Sequence, residues 1–419
     1  MIVHRSFRLV CAPEHIPQVE SLLQAQGFVF EAEPFSPFCR RLCHEPMALG
    51  ASLAAFFGYI YIQDRSSMLP PLALNPHAGA RVLDMCASPG SKMGFLAQLV
   101  GTDGFVLGNE PARPRLLTLR SNMQGLHLLH AATCSYGGET LPLRPESWDF
   151  IQLDPPCSGW GTVDKNPRVR EVWKGEKTVP LISLQKKLLA KAAQLLRVGG
   201  RLVYSTCTTN TEENEAQVRY AVNELGLQVL PLRPFDGFAW EEPQAGGAGT
   251  LRVDGARSQA QGFYIACFTK SASNVTAAQD AAPLFTLAPH QCLEREGINA
   301  DCLEWGHLPP GHLAVFGDTV RFIPQGALEC LPAALVWQGA KVGKWAGGKV
   351  HFSSLLRTLL PPEPPDNALQ IDDAASIVRL IGGQSLHTNL HGVGTGLYWQ
   401  GLPLGRVKLK QGRALWTAC

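Results

Sequence analysis

Between Ala80 and Leu153 the chain repeats a short apolar run, a turn and a helix-compatible stretch, a rhythm that commits it to a sheet of parallel strands joined by crossover helices. Arg81-Val-Leu-Asp-Met leads into a helical pattern from Gly90 to Val100, and Phe105-Val-Leu-Gly follows as the next strand. Trp148-Asp-Phe-Ile-Gln-Leu-Asp and Arg201-Leu-Val-Tyr-Ser-Thr supply two more strands. The helix between them, around Leu184 to Leu196, is expected to end at Gly199 and Gly200. Leu227-Gln-Val-Leu and Gly262-Phe-Tyr-Ile-Ala-Cys-Phe fit a closing antiparallel pair. The expected fold class is therefore α/β and Rossmann-like.

A chain of 419 residues exceeds one ordinary core, so further units are expected on either side of this sheet. Residues 1–75 read as a small α+β unit, 76–270 as the sheet domain, and 271–283 (SASNVTAAQDAAP) as a linker. Residues 284–360 form the first part of a C-terminal domain. Pro361-Pro-Glu-Pro-Pro then introduces a tail, 361–419, whose glycine-separated short strands read as β-rich. The first apolar stretch carries His4, Arg5 and Arg8 and has no cleavage site, so export is not expected. The apolar run Met47 to Ile62 is interrupted by Gly50, Ser52 and Gly58 and falls short of the roughly 20 residues of a membrane helix. A cytoplasmic monomer without a membrane partner is expected, with its 12 cysteines mostly reduced. Cys11, Cys134, Cys267, Cys330 and Cys419 read as packing thiols. Cys39, Cys43 and His44 lie close together without a CxxC pair or a fourth ligand, so no metal is expected.

The segment Asp84-Met-Cys86-Ala87-Ser88-Pro89-Gly90-Ser91-Lys92 closes a strand and opens a helix, which is where open α/β sheets bind ligands. With one glycine rather than a GxGxxG cradle, the loop suits a nucleoside without phosphates. Glu110 ends the next strand, where a carboxylate can accept from both ribose hydroxyls. Adenosine carrying a sulfonium tail meets both conditions.

Two cysteines follow two other strands directly, in Asp154-Pro-Pro-Cys157-Ser-Gly and Ser205-Thr-Cys207-Thr. Both should face one cleft. A thiolate adding to carbon 6 of cytosine makes carbon 5 electron-rich enough to take a sulfonium methyl, and a second group must then help the carbon-5 proton leave. Cys207 fits the first role and Cys157 the second. Lys92 is the candidate cation for lowering the Cys207 pKa, and Asp154 can hydrogen-bond the extruded base.

These residues resemble the Sun/nucleolar-protein-2 family of RNA cytosine-5 methyltransferases, and within it the bacterial ribosomal RNA small-subunit methyltransferase F group. The resemblance is carried by Tyr61-Ile-Gln-Asp-Arg-Ser-Ser-Met-Leu, Cys86 to Lys92, Glu110, Asp154-Pro-Pro-Cys157-Ser-Gly-Trp-Gly, and Ser205-Thr-Cys207-Thr with Glu212-Glu-Asn-Glu, across residues 55 to 270. It implies an S-adenosyl-L-methionine methyltransferase sheet, an N-terminal RNA-binding unit and a PUA-like C-terminal tail. It further implies Cys207 as nucleophile, Cys157 as the thiol assisting release, and residues 86–92, Glu110 and Asp154 as cofactor contacts. The implied substrate is RNA, ribosomal before transfer RNA. Two positions depart from the family: Thr133-Cys-Ser-Tyr136-Gly stands where an acidic residue usually holds the adenine amine, and Ser91 stands where a glycine usually precedes Lys92. The competing readings are an exocyclic-amine methyltransferase, whose similar loop lacks a cysteine, and a non-catalytic RNA-binding assembly factor.

Although the net charge is only +2, residues 336–419 hold nine Lys/Arg against four Asp/Glu. Lys341, Lys344, Lys349 and Arg357 alternate with Trp337 and Trp345, and Arg406, Lys408, Lys410 and Arg413 with Trp399 and Trp416. Cations for phosphates and rings for bases suggest an RNA-contacting face, joined by Lys165 and Arg168 after the Cys157 loop.

Overall fold

A computed structural model of the protein describes residues 5–163, 166–242, 244–273, 282–288, 291–293 and 308–417. The expectations placed on His4, Lys165, Cys419 and most of the 271–283 segment lie outside the described residues.

Among the described residues the central sheet has nine strands. Arg81–Asp84 lies in its middle, flanked by Phe105–Asn109 and then Ala131–Cys134 on one side, and by Trp148–Leu153 and then Leu196–Thr206 on the other. These five run parallel. Phe263–Lys270, Leu227–Val229 and Leu251–Val253 extend one edge antiparallel. Because the chain leaves the central strand in one direction and returns in the other, a crevice opens beyond the carboxyl ends of Arg81–Asp84 and Trp148–Leu153. Helices cover both faces, as a parallel sheet requires. Leu188, Leu189 and Ala192 of the helix Val179–Leu195 pack on one face, and Leu96, Ala97, Leu116 and Leu119 of the helices Ser91–Val100 and Arg113–Gly125 on the other. The glycines expected to end the helix instead lie within the strand Leu196–Thr206. The helix stops at Leu195 because Leu196 is already extended.

Residues outside this sheet are tied to it closely. Ser6–Leu9, Val29–Ala32, Cys39–His44 and Ile60–Ile62 form a four-stranded antiparallel sheet. Its core residues Phe7, Leu9, Leu22 and Phe57 share one apolar cluster with Ile377, Leu380, Leu397, Trp399 and Leu402 of the tail. The two ends of the described chain therefore pack together. Among the described residues two five-stranded sheets occupy the C-terminal portion. One short strand from that portion, Trp337–Gly339, pairs with Ala131–Cys134 and becomes the outer strand of the central sheet. Ala327, Cys330, Leu331 and Leu335 join the same core.

Three of the residues expected on a basic, ring-bearing surface are engaged in packing instead. Trp399 is 2 % exposed, and Trp416 lies against Phe56 and Phe57. Arg357 points inward, where Nε donates to the Phe57 carbonyl at 3.1 Å and Nη2 to those of Val10 and Gly58 at 3.2 and 3.0 Å. Its guanidinium sits 3.8 Å from the Tyr59 ring centroid. A planar fork can satisfy several carbonyls at once, so this side chain fastens the C-terminal portion onto the N-terminal unit. Lys344, Lys349, Lys408, Lys410 and Arg413 remain exposed. Replacing Arg357 by Ala should remove about 3 kcal/mol of unfolding free energy, since it strands buried carbonyls that a charged donor now serves. A lower urea midpoint would show it, and an unchanged one would contradict the clamp.

Candidate active site

Each expected site segment begins where a central strand ends, so its position follows from the sheet. After Trp148–Leu153, Pro155 and Pro156 fix their own φ angles and hold the chain extended past Asp154. That stiff lead delivers Cys157 toward the neighbouring strand end, where Cys207 follows Leu196–Thr206. The two Sγ atoms are 3.4 Å apart. They share a cavity of about 360 Å³ with Cys86, Ser88, Glu110 and Asp154, within the roughly 300–1,000 Å³ typical of small-molecule sites.

A buried carboxylate that sequence reasoning did not single out holds this geometry. Glu213, fully buried, accepts from Ser158 N at 2.9 Å, Ser158 Oγ at 2.5 Å, Gln185 Nε2 at 3.0 Å and Asn210 Nδ2 at 2.9 Å. Ser158 Oγ also meets Thr208 Oγ1 at 2.7 Å, so the residues following both cysteines join one network. Gln185 Nε2 additionally donates to the Pro156 carbonyl at 2.9 Å. The signal was present in the acidic run Glu212-Glu-Asn-Glu, but nothing in its spacing says which carboxylate turns inward. A second device is Gly161, whose N donates to the Cys207 carbonyl at 3.0 Å. A Cβ at Gly161 would fall 2.2 Å from the Gly262 carbonyl oxygen, so only glycine fits there.

The electrostatics separate the two thiols. Cys207 is held below the ordinary thiol value, first by the hydrogen bond from Cys157 and also by Lys92. Cys157 is pushed well up by that same contact, by burial, and by the nearby charges of Asp154 and Glu213. The deprotonated form is thus favoured at Cys207 and the protonated form at Cys157. Lys92 was expected to be the main influence on Cys207, but its Nζ is committed to Asp154 Oδ2 at 2.8 Å, which leaves it a secondary one. Asp154 Oδ1 accepts from Ser205 Oγ at 2.8 Å. Cys86 lies in the same cavity, yet burial and the charges of Asp84 and Asp154 push its thiol up, away from nucleophilic use.

Among the residues expected to hold a nucleoside, Cys86, Ser88, Glu110 and Asp154 line the cavity, whereas Ala87, Pro89, Gly90 and Ser91 build the turn behind it. Gly90 is needed for a φ of 109° and for packing, because a Cβ there would meet Met123 Cε at 2.6 Å. The Pro89 carbonyl accepts from Asn122 Nδ2 at 2.7 Å. Glu110 is 3 % exposed. It accepts from Ala112 N at 2.9 Å and pairs with Arg115 at 3.4 Å, which leaves lone pairs for a diol. Below the loop, Asp84 is raised to about 7 by burial, and its Oδ2 has no partner among the described residues. That orphan oxygen fits a cationic ligand group. Tyr136 does not fill the place of an acidic residue, since its hydroxyl accepts from Val336 N at 2.8 Å. Glu139, three residues on, lines the cavity in its stead.

Because the thiolate fraction of Cys207 grows as pH rises, its alkylation by iodoacetamide should reach half-maximal rate below the free-thiol value of about 8.5, and ahead of Cys157. Cys157→Ala removes the main stabilising donor and should move that midpoint upward. Equal labelling of the two thiols, or an unmoved midpoint, would overturn the assignment.

Known proteins resemble the part of the chain that carries this site. The family model described as 16S rRNA methyltransferase RsmB/F matches residues 71–269, spanning the central strands and both cysteine loops. The chain is 34 % identical over 280 residues to ribosomal RNA small subunit methyltransferase F of Klebsiella pneumoniae, covering 65 % of this chain and 58 % of that protein. It is 36 % identical over 234 residues to the protein of the same name in Salmonella paratyphi B, covering 55 % and 48 %. The chain thus spans about half the length of these curated relatives. A solved methyltransferase homolog protein from Pyrococcus horikoshii is 30 % identical, with a TM-score of 0.55 over 64 % of this chain and 87 % of that one. NSun6 from the same organism, solved with SFG, shares the fold at 20 % identity, with a TM-score of 0.58 over 65 % of this chain and 91 % of its own. Residues 71–269, which carry the central sheet, the two cysteine loops and the cavity between them, are the part of the chain that matches the 16S rRNA methyltransferase RsmB/F family.

Proposed function

We propose that this protein methylates carbon 5 of a cytosine in ribosomal RNA, with S-adenosyl-L-methionine as cofactor. The observation that carries the reading is the pair of thiols 3.4 Å apart, one stabilised as thiolate by the other, at the wall of a nucleoside-sized cavity. An amine methyltransferase has no use for such a pair. The match to the 16S rRNA methyltransferase RsmB/F family supports the substrate class, and the solved relative bound to SFG supports the cofactor pocket.

When bound, the cofactor supplies an electrophilic methyl group. Glu110 and Ser88 are suited to its ribose end, Glu139 to an amine donor on its base, and the orphan oxygen of Asp84 to its cationic tail. The protein's own groups do the rest. The target base must be extruded to reach the thiols. Cys207 Sγ adds to carbon 6, and Asp154 accepts a hydrogen bond from the exocyclic amine of the base as electron density moves to carbon 5. Once Cys207 is bonded to carbon, the thiolate that kept Cys157 protonated is gone. Cys157 can then release its proton to solvent and take the one on carbon 5. Cys207 departs as thiolate, and the original pair is restored with one proton released overall.

RNA carrying 5-fluorocytosine should therefore trap the protein as a cofactor-dependent covalent complex, because a fluorine at carbon 5 cannot leave as a proton. Absence of that complex with wild-type protein would sink the proposal. Cys207→Ala should form neither complex nor product, while Cys157→Ala should accumulate methylated RNA still attached to protein, detectable by mass. Normal turnover by Cys157→Ala would remove that thiol from the mechanism.

A further inference from the structure

Away from the catalytic cavity, three cations converge at the seam where the C-terminal portion meets the central domain. Arg321 and Lys341 are directly opposed in the antiparallel pair of strands Thr319–Pro324 and Lys341–Ala346. Like charges in that position destabilise a sheet. Arg120 approaches from the helix Arg113–Gly125, its Nε donating to Thr133 Oγ1 at 3.0 Å, while Arg321 Nη1 donates to the Gly339 carbonyl at 3.0 Å. All three line one cavity of about 240 Å³. Among the described residues none of the three has a carboxylate partner. Burial and, for Arg120, the facing Arg321 lower both guanidinium pKa values. Half-buried cations facing one another are costly unless an anion completes them.

A second cavity of about 440 Å³ adjoins the first through Arg321, Gln338 and Gly339. Phe285, Phe316 and Trp337 form its wall, and the rings of Phe285 and Trp337 meet edge to face at 5.1 Å. The repeating unit of a nucleic acid strand is an anion beside a flat ring, and guanidinium forks match phosphate while aromatic side chains match bases. We propose that this seam is a docking groove for single-stranded RNA, with a phosphate held by Arg120, Arg321 and Lys341 and an adjacent base against Phe285 and Trp337. The inference rests on the RNA reading above. An acidic peptide would satisfy the cations but leave the ring-walled cavity without a counterpart.

The test uses the full chain and a fluorescein-labelled single-stranded RNA of about 12 nucleotides without cytosine, which bypasses the thiols. Arg120→Gln and Lys341→Gln should each weaken binding about 5-fold at physiological salt and flatten the salt dependence by about 0.7 per charge removed. Binding of S-adenosyl-L-methionine should not change. Without RNA, both variants should melt at or above the wild-type temperature, because each relieves repulsion. Unaltered affinity and salt dependence in both variants would overturn the groove, as would a fall in melting temperature or equal competition by polyglutamate. If wild-type protein binds this RNA and methylates a cytosine-containing one while the variants match it in binding, only the groove fails. If wild-type protein binds no RNA, the proposed function fails as well.

Discussion

The geometry of the site depends on one buried carboxylate. Glu213 receives hydrogen bonds from residues adjoining both cysteine loops, and it does so at full burial, where each donor counts for more than it would in water. A charge in such a place is tolerable only when its lone pairs are filled, so the loops cannot drift apart without exposing it unpaired. The cost of separating them is what keeps two sulfur atoms in contact at the ends of different strands. That contact in turn divides the labour between the thiols, because a shared proton must reside on one of them.

Much of this was readable from the residues. The strand and helix rhythm from Ala80 onward named the parallel sheet, since periodicity is a local property that tertiary context seldom reverses. The apolar strands directly before Cys157 and Cys207 placed both thiols at one crevice, because strand ends in such sheets share a side. What could not be read was pairing at a distance. Lys92 was expected to govern Cys207, but its closest partner is Asp154, sixty-two positions away in sequence. Gly199 and Gly200 resemble a helix stop, yet the strand had already begun at Leu196. Arg357, Trp399 and Trp416 looked like a ligand-facing set because cations and rings alternate there. Composition cannot tell a guanidinium seated on backbone carbonyls from one in solvent.

The same limit applies to domain organisation. Linkers and proline breaks suggested successive units, whereas the folded chain shares a core between its N-terminal sheet and its tail and lends a strand from the C-terminal portion to the central sheet. Hydrophobic patterning reports that a face is buried and is silent on what buries it. Tyr136 illustrates the point, since the residue standing where an adenine contact was sought reaches instead for the backbone of Val336.

That borrowed strand bears on biosynthesis. Ala131–Cys134 is synthesised about 200 residues before Trp337–Gly339, the neighbour that covers its open hydrogen-bonding side. At translation rates of about 5–20 residues per second, the nascent sheet has a bare edge for on the order of 10–40 seconds, an interval in which it could pair with another chain. Ribosome-associated chaperones capable of shielding unpaired strands thus have a defined window and a defined segment on which to act.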